Sequence, residues 1–437
     1  MTDASDGDGA PDGEAYDRRT RSVHAGYDPD ETGARAPPIH QTTSYVFPDA
    51  DEAAARYALD SEADVYSRIS NPTTSALEDR LASLHGGTGA VATNAGMGAI
   101  DAITTTLAEA GRNIVAGEEM YGGTASYFAH TAGKRGVETR TVDALDPDAV
   151  ADAIDDDTAF VHVETIANPS LVTPDFDALA EVAHDHAVPL VVDNTFATPH
   201  LCRPIEHGAD VVWASTTKWL HGAGTTLGGV VVDGGTFPWD HPDAEFPELA
   251  GENPAFGVDF TERFGDRALE AAVRQRAVRS CGTGQSAFDA WQTLQGIQTL
   301  PLRVDRHCEN AAALADFLDD HPDVAWVSYP GLGDHPTHDA ASEYLDGGFG
   351  GMLTFGPEGG FDAAKAVCEG VELASFLANV GDAKTLVVHP ASTTHAQLSE
   401  SEQRDAGVRP DMVRVSVGIE GTEDVLADFD RALREAH

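Results

Sequence analysis

The stretch from Val188 to Thr226, VPLVVDNTFATPHLCRPIEHGADVVWASTTKWLHGAGTT, constrains the fold more than any other part of the chain. It holds two short apolar, β-branched runs, Val188 to Val192 and Ala209 to Trp213, each ending in small polar residues and joined by one connecting segment. Two neighbouring strands of a buried parallel sheet read this way. Asp193 and Lys218 then lie just past the carboxyl ends of strands, where open α/β sheets place their ligands. A carboxylate and an amine face one crevice. The chain has only four lysines (Lys134, Lys218, Lys365, Lys384), and Lys218 alone follows an apolar strand and a Ser-Thr-Thr run. An amine so placed points to Schiff-base chemistry, set against the commoner roles of a solvated loop lysine and a helix-capping aspartate.

At 437 residues the chain exceeds what one core usually supports, which points to two domains with appendages. Charge is the unusual quantity: 27 Lys plus Arg against 73 Asp plus Glu leave a net charge of −46. Self-repulsion on that scale destabilises a compact state in dilute buffer, and salt removes most of it by shortening the Debye length to about 3 Å at 1 M. The expectation is a halophilic protein that loses structure at low salt; loss of structure at high salt instead would refute it. Such a field repels nucleic acid and anionic membranes, so neither is an expected partner. No apolar run is long enough to span a bilayer, and the N-terminus is acidic where a signal peptide is basic, so a soluble, cytoplasmic protein is expected. Cys202, Cys281, Cys308 and Cys368 form no CxxC pair and read as reduced, buried small hydrophobes.

Residues 1–18 are acidic and Gly-rich, with almost no large apolar side chains, and should be disordered. Residues 19–70 read as an extended arm with one short helix, Ala50 to Leu59; their apolar surface without a core calls for a neighbouring subunit to pack on. From Pro72, helix and strand signals alternate. Strands are expected at Gly89–Thr93, Asn113–Ala116, Glu138–Val142 and Thr158–Glu164, and helices at Thr74–Leu84, Pro147–Ile154 and Asp175–His186. This is the pattern of a large, doubly wound α/β domain over 71–283. Residues 234–265, rich in Pro, Gly and aromatics, read as a long inserted loop. Helices at Leu269–Val278, Ala287–Leu294, Pro301–Leu318 and Glu423–Ala436 mix with strands at Val324–Tyr329, Gly351–Phe355 and Met412–Val417, which gives a smaller α+β domain over 284–437. His184 and His186 fall in the last turn of a helix, where the dipole favours them, and no metal site is expected.

Asn94-Ala-Gly-Met-Gly-Ala closes a strand and opens a helix, so the N–H groups around Gly96 and Met97 point where an anion could bind. Ser215 and Thr217 could add hydroxyl donors to the same anion. Asp193 suits a protonated ring nitrogen, because a carboxylate that keeps a pyridinium charged makes the ring an electron sink. Tyr121 offers a flat ring at the same sheet edge, or core packing. Arg414, inside the apolar strand VRVSVGIE, suits bidentate recognition of a carboxylate, or a structural salt bridge.

With these residues assembled, the chain resembles the pyridoxal-phosphate enzymes of Cys/Met metabolism, the family of cystathionine γ-synthase and methionine γ-lyase. The resemblance rests on VHAG at 23–26, YSRISNPTTSALE at 66–78, YGGT at 121–124, ETIANPS at 164–170, DNTFATP at 193–199, STTKWLHGAGTTLGG at 215–229, LANVGDAKTLVVHPASTTH at 377–395 and VRVSVGIE at 413–420. It implies the aspartate-aminotransferase-like fold (type I), built as a dimer of dimers. By the same resemblance Lys218 carries pyridoxal 5′-phosphate, Asp193 pairs with its ring nitrogen, and Thr195 belongs to the cofactor site. Gly96, Met97, Ser215 and Thr217 hold the phosphate, and Tyr121 stacks on the ring. Tyr66 and Arg68 reach the phosphate of a neighbouring subunit's cofactor. Asn168, Asn379 and Arg414 orient the substrate, Arg414 through its α-carboxylate. The chain departs from the family pattern at Asn94-Ala-Gly-Met, where many members have Ser-Gly or Gly-Gln, and at Gly123, where γ-lyases carry a cysteine.

The 234–265 insertion and the LANVGDAK segment resemble the sulfhydrylase branch, which implies γ-replacement on O-acetyl-L-homoserine in methionine biosynthesis and transsulfuration. Lys218 removes the Cα proton, acetate leaves Cγ, and sulfide or a thiol takes its place to give homocysteine or methionine. Tyr121 is a candidate proton carrier. A cystathionine γ-synthase or a methionine or cystathionine γ-lyase would share the site. A dinucleotide-binding protein, cradling a pyrophosphate on Gly96-Met-Gly98, is the reading from another class; it lacks the full GxGxxG.

Overall fold

The computed structural model describes residues 16–29, 32–396, 399, 403 and 407–436, so the disorder expected for the acidic tail falls outside the described residues up to position 15. Apolar runs flanked by small polar residues become seven strands of one sheet: β1 (Gly89–Thr93), β2 (Asn113–Gly117), β3 (Glu138–Val142), β4 (Thr158–Glu164), β5 (Leu190–Asp193), β6 (Val211–Ala214) and β7 (Gly229–Asp233). Their order is β1-β7-β6-β5-β4-β2-β3. The pairs β2–β3, β2–β4, β4–β5 and β5–β6 are parallel, and β7 runs antiparallel to both β1 and β6. All residues of β4, β5 and β6 are buried, as strands covered on both faces must be. The two runs that open the sequence reading are thus parallel neighbours, with Asp193 the last residue of β5 and Lys218 four positions beyond β6. Strand β7 carries no mark in the sequence reading, because no helix precedes it: the chain turns straight back after Lys218 and returns antiparallel.

Helix α3 (Pro72–His85), the third after α1 (Arg18–His24) and α2 (Ala50–Tyr57), shows why the boundaries fall where they do. The Asn71 side chain accepts the Thr73 N–H, Pro72 occupies the first turn, and Gly86 ends the helix in the left-handed conformation at φ 78°. The arm therefore contains two helices, where one was expected. Helix α1 is tied to α3 by Arg21 Nη1 donating to the Ser83 carbonyl at 2.7 Å and Arg80 Nε donating to the Ala25 carbonyl at 2.7 Å. Farther along the arm Val46 and Tyr57 stay exposed.

The 234–265 insertion is not loose. Phe237, Trp239, Phe246, Leu249 and Phe260 are buried in the core on one face of the large sheet, and residues Phe260–Phe264 form a short helix. Beyond it, the single helix expected at Leu269–Val278 divides into an α-helix, Ala268–Val273, and a π-helical turn, Arg274–Arg279. Arg274 enters the interior there, with Nη2 2.7 Å from Glu270 and 3.0 Å from Glu78.

The second sheet contains β8 (Val324–Ser328), β9 (Met352–Pro357), β10 (Ser375–Phe376), β11 (Leu386–Val388) and β12 (Val413–Ser416), in the order β10-β11-β12-β9-β8. All its pairs are antiparallel except β10–β11. Helices Leu300–Asp319, Gly360–Gly370 and Thr422–Glu435 share its core with Leu353, Phe355, Val413 and Val415. Alternation along β12 then sends Arg414 to the face away from those helices. Three cysteines are buried, and Cys281 is exposed, contrary to the expectation for all four. Among the described residues no helix is long and apolar enough to cross a membrane.

Candidate active site

Asp193 closes β5 with its side chain 7% exposed. Its Oδ1 accepts the Thr195 N–H at 2.9 Å and the Thr195 hydroxyl at 2.5 Å. Thr195 Oγ1 in turn accepts the Ser215 N–H at 2.9 Å, which locks the ends of β5 and β6 together. Burial pushes the Asp193 carboxyl up to about 7, against the pull of the Thr195 hydrogen bonds. Beside it on β4, Glu164 is its register partner. Glu164 is also buried, and burial and the charge of Asp193 raise it well above the ordinary carboxylate range. Its Oε1 accepts the Tyr121 N–H at 2.6 Å and its Oε2 the Asn168 N–H at 3.1 Å. One carboxyl group thereby anchors two segments that carry expected site residues.

Lys218 points its Nζ at Asn379, donating to Oδ1 at 2.5 Å. Burial lowers the amine to about 8, assisted by the positive charge of Arg414. The approach of the two segments depends on Gly381. It sits at φ +74°, and a Cβ there would stand 2.6 Å from the Trp219 nitrogen and 2.9 Å from the Lys218 carbonyl carbon. Arg414 crosses from the second sheet and donates to Asn168 Oδ1 at 3.0 Å. Its guanidinium is buried, lowered to about 10 by that burial, and no carboxylate pairs with it among the described residues.

Helix α4 (Gly96–Leu107) opens at the end of β1 with no side-chain cap. Among the hydrogen bonds of the described residues, neither the Gly96 nor the Met97 N–H has an acceptor, as the first turn of an uncapped helix leaves them. A Cβ on Gly96 would lie 2.7 Å from Ser215 Cβ, so only glycine lets the helix start reach the Ser215 turn. Thr217 Oγ1 is engaged with Gly228, accepting its N–H at 3.1 Å and donating to its carbonyl at 3.2 Å. Tyr121 precedes the short helix α5 (Gly122–Ser126) and leaves its ring 46% exposed over Gly123. Tyr66 and Arg68 are exposed, with the Arg68 guanidinium 5.4 Å from the Tyr66 ring centroid and Nη1 donating to the Arg279 carbonyl.

The residues gathered by the fold suit pyridoxal phosphate. Two free N–H groups and the Ser215 hydroxyl form an anion cradle at one end, and Asp193 supplies a buried carboxylate that lacks a cation at the other. The Lys218 amine, beside Asn379 and near Arg414, deprotonates unusually easily. A buried guanidinium without a counter-ion suits the carboxylate of an amino-acid substrate. Among the described residues no group of three or more His, Cys, Asp or Glu could hold a metal ion; His184 instead bonds Asp210 at 2.8 Å. The sequence reading gave no role to Glu164, whose position beside Asp193 depends on strand register.

A family model described as Cys/Met metabolism PLP-dependent enzyme matches residues 19–434. The homocysteine synthase of Schizosaccharomyces pombe is 48% identical over 420 residues, which cover 95% of this chain and 98% of that protein. O-acetyl-L-homoserine sulfhydrylase 1 of Thermus thermophilus is 46% identical over 95% of this chain and 99% of its own. Among solved structures, a Campylobacter jejuni protein assigned as an O-acetylhomoserine (thiol)-lyase, with N′-pyridoxyl-lysine-5′-monophosphate in place, superposes with a TM-score of 0.92 at 33% identity, covering 96% of this chain and 100% of that one.

Proposed function

The chain belongs to the Cys/Met metabolism PLP-dependent enzyme family, and on that premise we propose that it replaces the acetate of O-acetyl-L-homoserine with sulfide or a thiol, giving homocysteine or methionine. Pyridoxal phosphate is its cofactor. When bound, it supplies the electron sink that lets negative charge develop on the substrate carbons. The observation that carries the reading is the Lys218 amine, lowered to about 8 and held within one site with buried Asp193 and buried Arg414.

Gly96, Met97 and Ser215 bind the phosphate, with Thr217 closing the turn behind them. Asp193, oriented by Thr195, would hold the protonated ring nitrogen of the bound cofactor, and its buried carboxylate would gain there the charge partner it lacks. Tyr121 covers the ring face. Arg414 leaves Asn168 Oδ1 for the substrate α-carboxylate, and Asn168 retains one edge of it. The Lys218 amine, positioned by Asn379, takes the Cα proton and returns one at the end of the cycle. Tyr66 and Arg68 serve the phosphate site of a neighbouring copy, which their surface position and the exposed apolar arm support, so the working form is a homo-oligomer, a dimer of dimers. The protein acts in the cytoplasm.

Gly123 favours replacement over methionine cleavage, because the position against the Tyr121 ring is a glycine rather than a cysteine. The test is homocysteine formation by purified protein, loaded with pyridoxal phosphate in high salt and given O-acetylhomoserine and sulfide. Borohydride should fix the cofactor to Lys218 in the tryptic digest, and Lys218→Ala should abolish both. Turnover with cysteine and the succinyl ester but not with sulfide would identify a cystathionine γ-synthase instead.

A further inference from the structure

His395 brings an imidazole to the mouth of the site. Its main chain is fixed by a 390–395 turn: the His395 N–H donates to the Pro390 carbonyl at 3.0 Å, and its carbonyl accepts the Gln403 amide at 2.8 Å. Nδ1 lies 2.9 Å from Thr394 Oγ1. Nε2 lies over the residue that follows Tyr121, 3.7 Å from where a Cβ on Gly122 would stand. Among the described residues Nε2 makes no hydrogen bond. Burial, and then the charge of Arg414, lower the imidazole below its ordinary range, so it is neutral at neutral pH. Arg414 is the charged group that acts on the imidazole, and Tyr121 is the titratable residue that precedes Gly122 in the chain.

Nδ1 has a hydroxyl partner, and Nε2, without a hydrogen bond among the described residues, lies 3.7 Å from where a Cβ on Gly122, the residue after Tyr121, would stand. A neutral ring with one nitrogen engaged and the other open to the reacting space is a proton acceptor. The replacement reaction needs such a group, because the incoming acceptor must lose a proton as its sulfur attacks, while Lys218 is committed to the protons of the substrate carbons.

We infer that His395 Nε2 takes the proton of hydrogen sulfide or the thiol as its sulfur bonds to Cγ. This inference rests on the proposed γ-replacement. In that step the S–H bond breaks, its proton goes to Nε2, and the sulfur electron pair forms the S–Cγ bond. Acetate has already left with the C–O pair. Over the cycle one thiol and one ester become one thioether or thiol product, one acetate and one proton released from His395 to solvent, with no net oxidation.

The experiment compares holoenzyme with His395→Gln and His395→Ala in two measurements. The first is the single-turnover release of acetate from O-acetylhomoserine without acceptor, which reports folding, cofactor and donor chemistry. The second is kcat/KM for sulfide as a function of pH. Both variants should keep the acetate burst within about twofold. They should lose about 10²-fold or more in sulfide transfer at pH values where the acceptor is still protonated. The deficit should close where hydrosulfide predominates, and added imidazole should partly restore His395→Ala. Transfer unchanged at low pH would overturn the inference. So would an equal loss at every pH, or a loss of the burst with a raised KM for the donor, which would assign His395 to positioning Arg414. If the unsubstituted holoenzyme shows no acetate burst, the γ-replacement reading fails and this inference falls with it.

Discussion

Lys218 Nζ donates to Asn379 Oδ1 at 2.5 Å across a separation of 161 residues, so this buried amine is aimed by a segment of the other half of the chain. In the apoprotein, burial and Arg414 place that amine at about 8, well under the ordinary ~10.4 of lysine. Modification of Lys218 by an amine-selective reagent should therefore rise through about pH 8, followed by peptide mapping against Lys134, Lys365 and Lys384. Asn379→Ala should leave the donor KM little changed and slow kcat about tenfold, the loss of one aligning hydrogen bond. A donor KM that rises in proportion, with kcat intact, would place Asn379 on the substrate instead.

Asp193 makes a prediction of sign. Its folded-state carboxyl is raised by burial to about 7, above the unfolded value of ~3.9. For such a group the stabilising contribution is complete below the unfolded value and is lost as pH rises through the folded one. The apoprotein should thus lose stability between about pH 4 and 7 through this residue. Asp193→Asn should have a higher Tm than unsubstituted apoprotein at pH 8, with the gap shrinking toward pH 4. With pyridoxal phosphate bound the order should reverse, since the ring cation is then missing its counter-charge. A variant of unchanged Tm at both pH values would remove the buried-carboxylate argument.

Gly123 leaves the Tyr121 ring room. A Cβ at position 123 would stand 2.3 Å from Tyr121 Cε1, and the residue needs no left-handed backbone, so Gly123→Ala should fold normally while displacing the ring. Near-ultraviolet circular dichroism of the bound cofactor should change, and kcat should fall more than Tm. An unaltered spectrum would show that the ring does not cover the cofactor.

Arg274 holds two buried carboxylates, Glu78 and Glu270, with one guanidinium. Arg274→Ala should destabilise by about 3–5 kcal/mol, because buried Glu78 is left without a cation and Glu270 keeps only the half-exposed Arg267. Adding Glu78→Gln and Glu270→Gln to the same variant should recover a large part of that loss in urea denaturation. Equal instability of the single and triple variants would assign the effect to lost packing.

The parts of the fold that sequence exposes are those whose evidence is local. Strands β5 and β6 announce themselves by β-branched runs that stop at small polar residues, and Asp193 and Lys218 follow from where those runs end. Arg414 stands out because VRVSV alternates, which puts its side chain opposite Val413 and Val415. Glu164 is invisible by the same criteria: a carboxylate at a strand end has no signature, and its Tyr121 partner is 43 residues away. Strand β7 follows β6 with no helix between them, whereas a helix precedes each of β2, β4 and β5. The buried aromatics of the insertion read as a loop because no period orders them, and only the face of the large sheet gives Trp239 and Phe246 a place.

The Arg414–Asn168 contact joins segments 246 residues apart, and in the role proposed for Arg414 it sets the terms on which a substrate would bind. The guanidinium is already out of water before any ligand is present, so the dehydration cost of that cation falls on folding rather than on association. An incoming α-carboxylate exchanges a neutral amide acceptor for an anionic one. Affinity at this point is therefore the difference between two hydrogen bonds of unequal charge. A molecule without the carboxylate has nothing to trade, which makes discrimination against amines and decarboxylated analogues a property of the empty enzyme.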